Sequence, residues 1–294
     1  MLKFLVATIL FLSIVVINIF TYEDKNCQTH HYYIEKKFDY TPWDKPQRVD
    51  PKCLANPNTK FIYLSFDDGP LNGSQNINAI AQKYRVPMNV MVVGEHVEMN
   101  KRQKRYFENY KKNPFVEVNN HSYSHASNRY YSFYSNPNKV LEDFHKSMKL
   151  LTLNNKIARL PGRNVWAIDN QYHNKYNETK EAVKLLHKNG FQLIGWDIEW
   201  KYDRKTKYPI GNSQEFFAQL QHHLESNKKL FTPNNIVVLL HDPMFKTKSK
   251  SKELENLIRL LRSQKDYVIV PLSQYPIVSQ KSTQKEASTD APNV

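Results

Sequence analysis

Two consecutive carboxylates stand at the end of an apolar run in Ser65-Phe66-Asp67-Asp68-Gly69-Pro70. Like charges this close are costly without a cation, although Asp-Gly-Pro is also common turn chemistry. A second constellation, His121-Ser122-Tyr123-Ser124-His125, spaces two histidines four apart, so they share a face if the segment begins a helix. In a chain with eleven His, a surface pair is the plain alternative. Asp68, His121 and His125 together would offer two nitrogens and one oxygen with positions left open, the donor set of a catalytic zinc site. Asp67 would then serve as base toward a water whose pKa falls from ~15.7 toward ~7 beside the metal. His241 ends another apolar run, where it could protonate a leaving amine, a role worth roughly 10²–10⁴ in rate.

The elements that must position these groups alternate along the chain. Strands are predicted over 61–66, 88–93, 115–118, 158–160, 191–196, 236–240 and 267–271. Between them lie predicted helices over 74–84, 101–112, 136–153, 178–189, 213–227 and 250–265. Pro137 suits a first helical position and Gly190 a helix stop. Strand and helix in alternation imply parallel pairing, and about seven such units point to a βα barrel, with an open doubly wound sheet as the alternative. Asp67 and His241 then fall at C-terminal strand ends, where barrel enzymes build their sites.

The chain of 294 residues has room for one large barrel. Its 42 Lys and Arg against 28 Asp and Glu leave a formal charge of +14, a surface that seeks anions. The lysines are scattered rather than gathered in a stripe, and charge alone does not choose among nucleic acid, anionic lipid and an acidic cell-wall polymer. The uncharged stretch 4–22 reads as an export signal or uncleaved membrane anchor, which argues for an extracytoplasmic site and against nucleic acid. Residues 1–23 are thus expected to form the leader, 24–59 a proline-bearing linker, 60–277 the folded domain and 278–294 a disordered tail. An oxidising compartment would favour a Cys27–Cys53 disulfide over two free thiols.

Taken together, these motifs resemble the polysaccharide deacetylase family of carbohydrate esterases, which includes chitin and peptidoglycan deacetylases, over roughly 61–276. The resemblance rests on Phe66-Asp67-Asp68-Gly69-Pro70, on His121 with His125, on Arg159-Leu160-Pro161, on Trp196-Asp197-Ile198-Glu199-Trp200, and on Leu239 with His241. It implies a distorted (β/α)7 barrel, Asp67 as general base, Asp68, His121 and His125 as ligands of a divalent metal, Zn2+ first, and His241 as general acid. It further implies that Arg159 orients the base, that the N–H of Gly162 holds the oxyanion, and that Trp200 and Leu239 line the acetyl pocket. The family's aromatic residue after the Arg-x-Pro motif is replaced here by Gly162, a loss for which Arg163 and Trp166 are candidates to compensate. The acid that braces Arg159 has two candidates, Asp197 and Glu199, with Glu199 favoured by its place relative to Trp196. The implied activity is hydrolysis of the N-acetyl group of a sugar in an extracytoplasmic glycan, with an anionic cell-envelope polymer as expected partner and the membrane as a second through the N-terminal segment. The alternatives are a deacetylase of a lipid-linked acetylated sugar and a non-catalytic glycan-binding protein that keeps the fold.

Overall fold

The structure, a computed structural model, describes residues 56–226 and 230–276. The expected leader, the disulfide, nearly all of the linker and the C-terminal tail lie outside the described residues. The first apolar run forms β1 (Lys60–Gly69), longer than expected because its ladder with β9 (Asn235–His241) continues until Asp67 stands opposite His241. Along its other edge β1 pairs with β2 (Met88–Val92) and β10 (Tyr267–Ile269). Ile62 through Phe66 are all buried, as in parallel strands covered on both faces. The helices are α1 (Ser74–Tyr84), α2 (Gly94–Glu98), α3 (Lys101–Lys112), α4 (Tyr130–Tyr134), α5 (Pro137–Leu151), α6 (Lys180–Lys188), α7 (Ser213–Ser226) and α8 (Lys248–Arg262). Each long helix buries one stripe: Val140, Phe144 and Leu151 on α5, and Leu254, Leu257, Ile258 and Leu261 on α8. Asn136 caps α5 by accepting from the Lys139 N–H, with Pro137 in the first turn as expected.

The remaining strands are β3 (Val116–Asn120), β4 (Ile157–Ala158), β5 (Trp166–Ile168), β6 (Gln171–His173), β7 (Gln192–Leu193) and β8 (Ile198–Glu199). They form one mixed, curled sheet in the order β6-β5-β7-β4-β3-β2-β1-β9-β8, with β10 beside β1. Its ends, β6 and β8, do not pair with each other among the described residues, so the architecture is a half-barrel with helices that keeps the expected βα alternation but departs from the count of seven units. Two local events account for the difference. The expected strand 191–196 stops at Leu193, because the carbonyls of Ile194 and Gly195 accept from the Arg159 guanidinium instead of a neighbouring strand. The other event is an antiparallel hairpin, β5–β6, that periodicity over such short runs does not reveal; it turns at Asp169, whose φ of 51° is left-handed.

Candidate active site

In a regular strand Asp67 and Asp68 would point to opposite faces. Here the β1–β2 register shifts between Phe66 and Gly69, and Asp68 adopts φ 72°. Such a bulge re-aims a side chain, and it lets both carboxylates reach one site. The Asp68 backbone carbonyl accepts from His96 Nδ1 at 2.7 Å. Burial pushes the Asp68 carboxyl upward, but the His125 hydrogen bond and the charges of His241, His125 and His121 outweigh it and hold the group well below the usual range.

The two histidines converge without the helix that their spacing suggested. His121 follows β3, Ser122 takes φ 68°, and residues 125–128 run through φ values of 46–57°. This left-handed turn is held by Asp143 of α5, which accepts from the N–H groups of Tyr123 (2.7 Å) and Ser124 (3.2 Å). The Asn120 side chain accepts from Ser122 N–H at 2.9 Å, and Ser122 Oγ from His125 N–H at 3.0 Å. Asp68 Oδ1 lies 3.1 Å from His125 Nε2 and 3.7 Å from His121 Nε2, and the three ligand atoms lie within 4.8 Å of one another.

The donor set fits a divalent metal, and one contact makes the fit specific. His121 Nδ1–H donates to the Arg159 carbonyl at 3.0 Å, which fixes the tautomer and leaves the Nε2 lone pair toward Asp68. Burial pushes the His121 imidazole down to about 4, so it is a neutral ligand at neutral pH. For His125 burial acts in the same direction, but the hydrogen bond and charge of Asp68 raise it on balance.

Asp67 is buried and is gripped through Oδ1 by Arg159 Nη1 at 2.7 Å, while its Oδ2 lies 3.5 Å from His121 Nε2. Arg159 has no exposed surface, and four of its N–H donors reach defined acceptors: Ser65 Oγ (2.9 Å), the Ile194 carbonyl (3.1 Å), the Gly195 carbonyl (2.7 Å) and Asp67. Neither Glu199 nor Asp197, the two acids expected to brace Arg159, makes a direct bond to it among the described residues, and only Asp197 is touched by its charge. Backbone carbonyls and Ser65 do this work, and Asn164 holds their loop by bonding Trp196 N–H (3.0 Å) and the Trp196 carbonyl (2.8 Å). Asp197 instead accepts from Phe231 N–H (2.8 Å) and Val237 N–H (2.7 Å); burial raises its pKa to about 6 despite these bonds and the charge of Arg159. Glu199 lies on β8 opposite Leu239, which is buried.

Trp200 is placed in the core, stacked on Phe216 at 4.8 Å with its indole N–H on the Ile210 carbonyl, so its ring faces are taken up by packing. The aromatic beside the general-acid candidate is Tyr202, whose ring lies 4.7 Å from that of His241. His241 and Asp67 are register partners on adjacent parallel strands. Trp166, a candidate to replace the missing aromatic, is stacked on Phe231 in the interior. Tyr130 takes that place from a different element: a Cβ on Gly162 would stand 2.9 Å from its ring, and its ring lies 6.0 Å from His125. Gly162 itself has φ +63°, so glycine answers both the backbone conformation and the lack of space.

Beyond His241, Asp242 ties the end of β9 to the start of α1, accepting from Gly73 N–H (2.8 Å), the Ser74 hydroxyl and Tyr110 OH (3.3 Å). Burial outweighs these bonds and raises its pKa to about 6. A carboxyl raised in the native state contributes stability that is full below its unfolded value of 3.8 and lost as pH rises through about 6. The contribution corresponds to about 3 kcal/mol. The destabilisation caused by Asp242→Asn is therefore expected to be largest below pH 4 and to shrink toward pH 7; urea midpoints of both proteins that differ by the same amount across this range would contradict it.

Residues that sequence reasoning missed are Ser65, Asn164, Asp143, Tyr130 and Tyr202. Ser65 was recoverable, since it lies two residues before Asp67 and so shares its face of the strand. The aromatic run Tyr130-Tyr131-Ser132-Phe133-Tyr134 was a signal without an address.

Residues 55–161 match the family model described as polysaccharide deacetylase. No curated protein matches the chain. Among solved structures, the catalytic domain of peptidoglycan N-acetylglucosamine deacetylase from Eubacterium rectale is similar at 21% identity and TM-score 0.52, over 74% of this chain and 90% of that one. Peptidoglycan deacetylase from Bacillus subtilis is similar at 20% identity and TM-score 0.51, over 81% of this chain and 100% of that one. A CE4 family pseudoenzyme from Bacillus anthracis is similar at 17% identity and TM-score 0.50, over 73% and 65%. At these identities the likeness concerns the fold.

Proposed function

We propose, from the premise that this chain carries a polysaccharide deacetylase domain, that it removes the acetyl group from an N-acetylated sugar of an extracytoplasmic glycan with the help of a divalent metal. The observation that carries the reading is the convergence of Asp68, His121 and His125 to within 4.8 Å, beside an acid held by Arg159. Two imidazole nitrogens and one carboxylate oxygen suit zinc. When bound there, the ion supplies Lewis acidity and a lowered water pKa.

The chain's own residues supply the rest. Asp67, with Oδ1 tied to Arg159, takes a proton from the attacking water through its other oxygen. The Gly162 N–H, for which no acceptor occurs among the described residues, stabilises the oxyanion. His241 protonates the departing sugar amine. Tyr130 and Tyr202 flank the opening as sugar-contacting rings.

The surface beside Tyr202 supports an anionic polymer as substrate. The loop 201–210 carries Lys201, Arg204, Lys205 and Lys207, while Lys246 and Lys250 each lie 5.2 Å from the ring of Tyr208. A cationic rim next to the catalytic opening raises the local concentration of an anionic glycan. The hydrophobic segment 4–22 supports export or anchoring at the membrane and leaves a lipid-linked acetylated sugar as a related substrate.

Two observations favour a second reading, a glycan-binding protein without activity: Gly162 replaces the family's aromatic, and one structural neighbour is described as a pseudoenzyme. The zinc-loaded protein is to be incubated with acetylated chitooligosaccharides and peptidoglycan fragments, and free amines counted by mass spectrometry. Amine formation abolished by a chelator is expected. Glycan binding with no amine formed on any of these substrates would replace the enzymatic reading with the binding one.

A further inference from the structure

Resting on the deacetylase reading above, we propose that Tyr134 is a positioning residue, whose hydroxyl holds the Pro161–Gly162 peptide so that the Gly162 N–H is aimed at the oxyanion. Tyr134 lies on α4 and has no exposed surface, and its OH donates to the Pro161 carbonyl at 2.7 Å. That carbonyl and the Gly162 N–H belong to one peptide unit, which is trans. In a trans peptide the two groups point in opposite directions. A grip on the oxygen from the buried side therefore turns the N–H outward, away from α4.

The next peptide is held as well. Arg163 Nη1 donates to the Gly162 carbonyl at 2.9 Å, and Arg163 is itself fixed by Glu178 at 2.8 Å. The rings of Tyr176, Tyr130 and Tyr134 surround its guanidinium at 5.0, 5.3 and 5.8 Å. Glycine at φ +63° is the most easily reoriented residue in the loop, so an oxyanion donor placed on it needs outside restraint. The hydroxyl supplies that restraint. It also polarises the amide, since a hydrogen bond accepted by the carbonyl makes the same unit's N–H a stronger donor.

The proposal separates kcat from binding. Zinc-loaded Tyr134→Phe, assayed on an acetylated chitooligosaccharide, is expected to lose kcat by roughly tenfold, with KM within about twofold of wild type and zinc affinity unchanged. A merely structural role would lower zinc retention and kcat together or leave both alone, and either result overturns the proposal. Should the Phe variant fail to fold, 3,5-difluorotyrosine at position 134, a stronger donor of the same outline, is expected to raise kcat at pH 6; unchanged kcat in that protein overturns the idea. Wild-type protein that forms no amine on any substrate removes the deacetylase reading and this role with it. An active wild type matched by Tyr134→Phe removes only the role of Tyr134.

Discussion

Asp67→Asn is expected to lower the rate of acetate release by roughly 10²–10⁴-fold while zinc stays bound. Asn has almost the same outline and can still accept from Arg159 Nη1, which now reaches Asp67 at 2.7 Å. What it lacks is the basic oxygen. Zinc retention should survive because Asp68, His121 and His125 are untouched and their geometry comes from the bulge in β1 and the left-handed turn after β3. A second effect accompanies the first. Arg159 is fully buried, and Asp67 is the one acid bonded to it among the described residues, so the substitution breaks a buried ion pair, a loss of about 3–5 kcal/mol in comparable cases. Melting curves with and without zinc therefore belong beside the kinetics. A variant that turns over within twofold of wild type would exclude Asp67 as the base.

The other large effect concerns His121→Ala, which is expected to abolish zinc retention and acetate release together. The Nε2 of His121 is one of three candidate ligand atoms among the described residues, and its orientation depends on the Nδ1–H bond to the Arg159 carbonyl. Measuring zinc after dialysis, alongside activity, tests this; full activity in a zinc-free variant would remove the metal mechanism. The same substitution has a pH signature in the apo protein. Burial lowers the His121 pKa to about 4 from its ordinary 6.5. The unfolded chain therefore binds the extra proton within that window. The stability this histidine contributes is full above pH 6.5 and lost as pH falls through about 4, a change on the order of 3 kcal/mol. His121→Ala should flatten the slope between these values. The sign is opposite to that expected for Asp242, whose contribution fades as pH rises, so the two variants can be told apart by direction alone.

The long helices were legible because their evidence is local. The ranges 74–84 and 101–112 hold as predicted, and Asn136 with Pro137 marks the start of α5, since caps and one-sided apolar stripes act within a few residues. Strands were read less well wherever a side chain competed for backbone. The run 191–196 has the composition of a strand, yet its carbonyls are claimed by a guanidinium from 35 residues earlier, a contact invisible to periodicity. The surroundings of Arg159 were hidden for the same reason: the resemblance pointed to Asp197 or Glu199 as its brace, while the bonds the fold supplies beside Asp67 come from Ser65 and the carbonyls of Ile194 and Gly195.

The sequence by itself determined which groups could do chemistry: two adjacent acids, two histidines four apart, and a histidine at the end of an apolar run. Residue types and short spacings carry that information, because a ligand set is a matter of donor atoms. Only the tertiary structure decided how they meet. A bulge and a left-handed turn, rather than a helix face, bring Asp68, His121 and His125 together; Tyr130 fills from α4 the space that a side chain at Gly162 would need; and Arg159 is anchored by carbonyls. Each of these is a contact between segments far apart in the chain, set by sheet register and close packing, and no local preference encodes it.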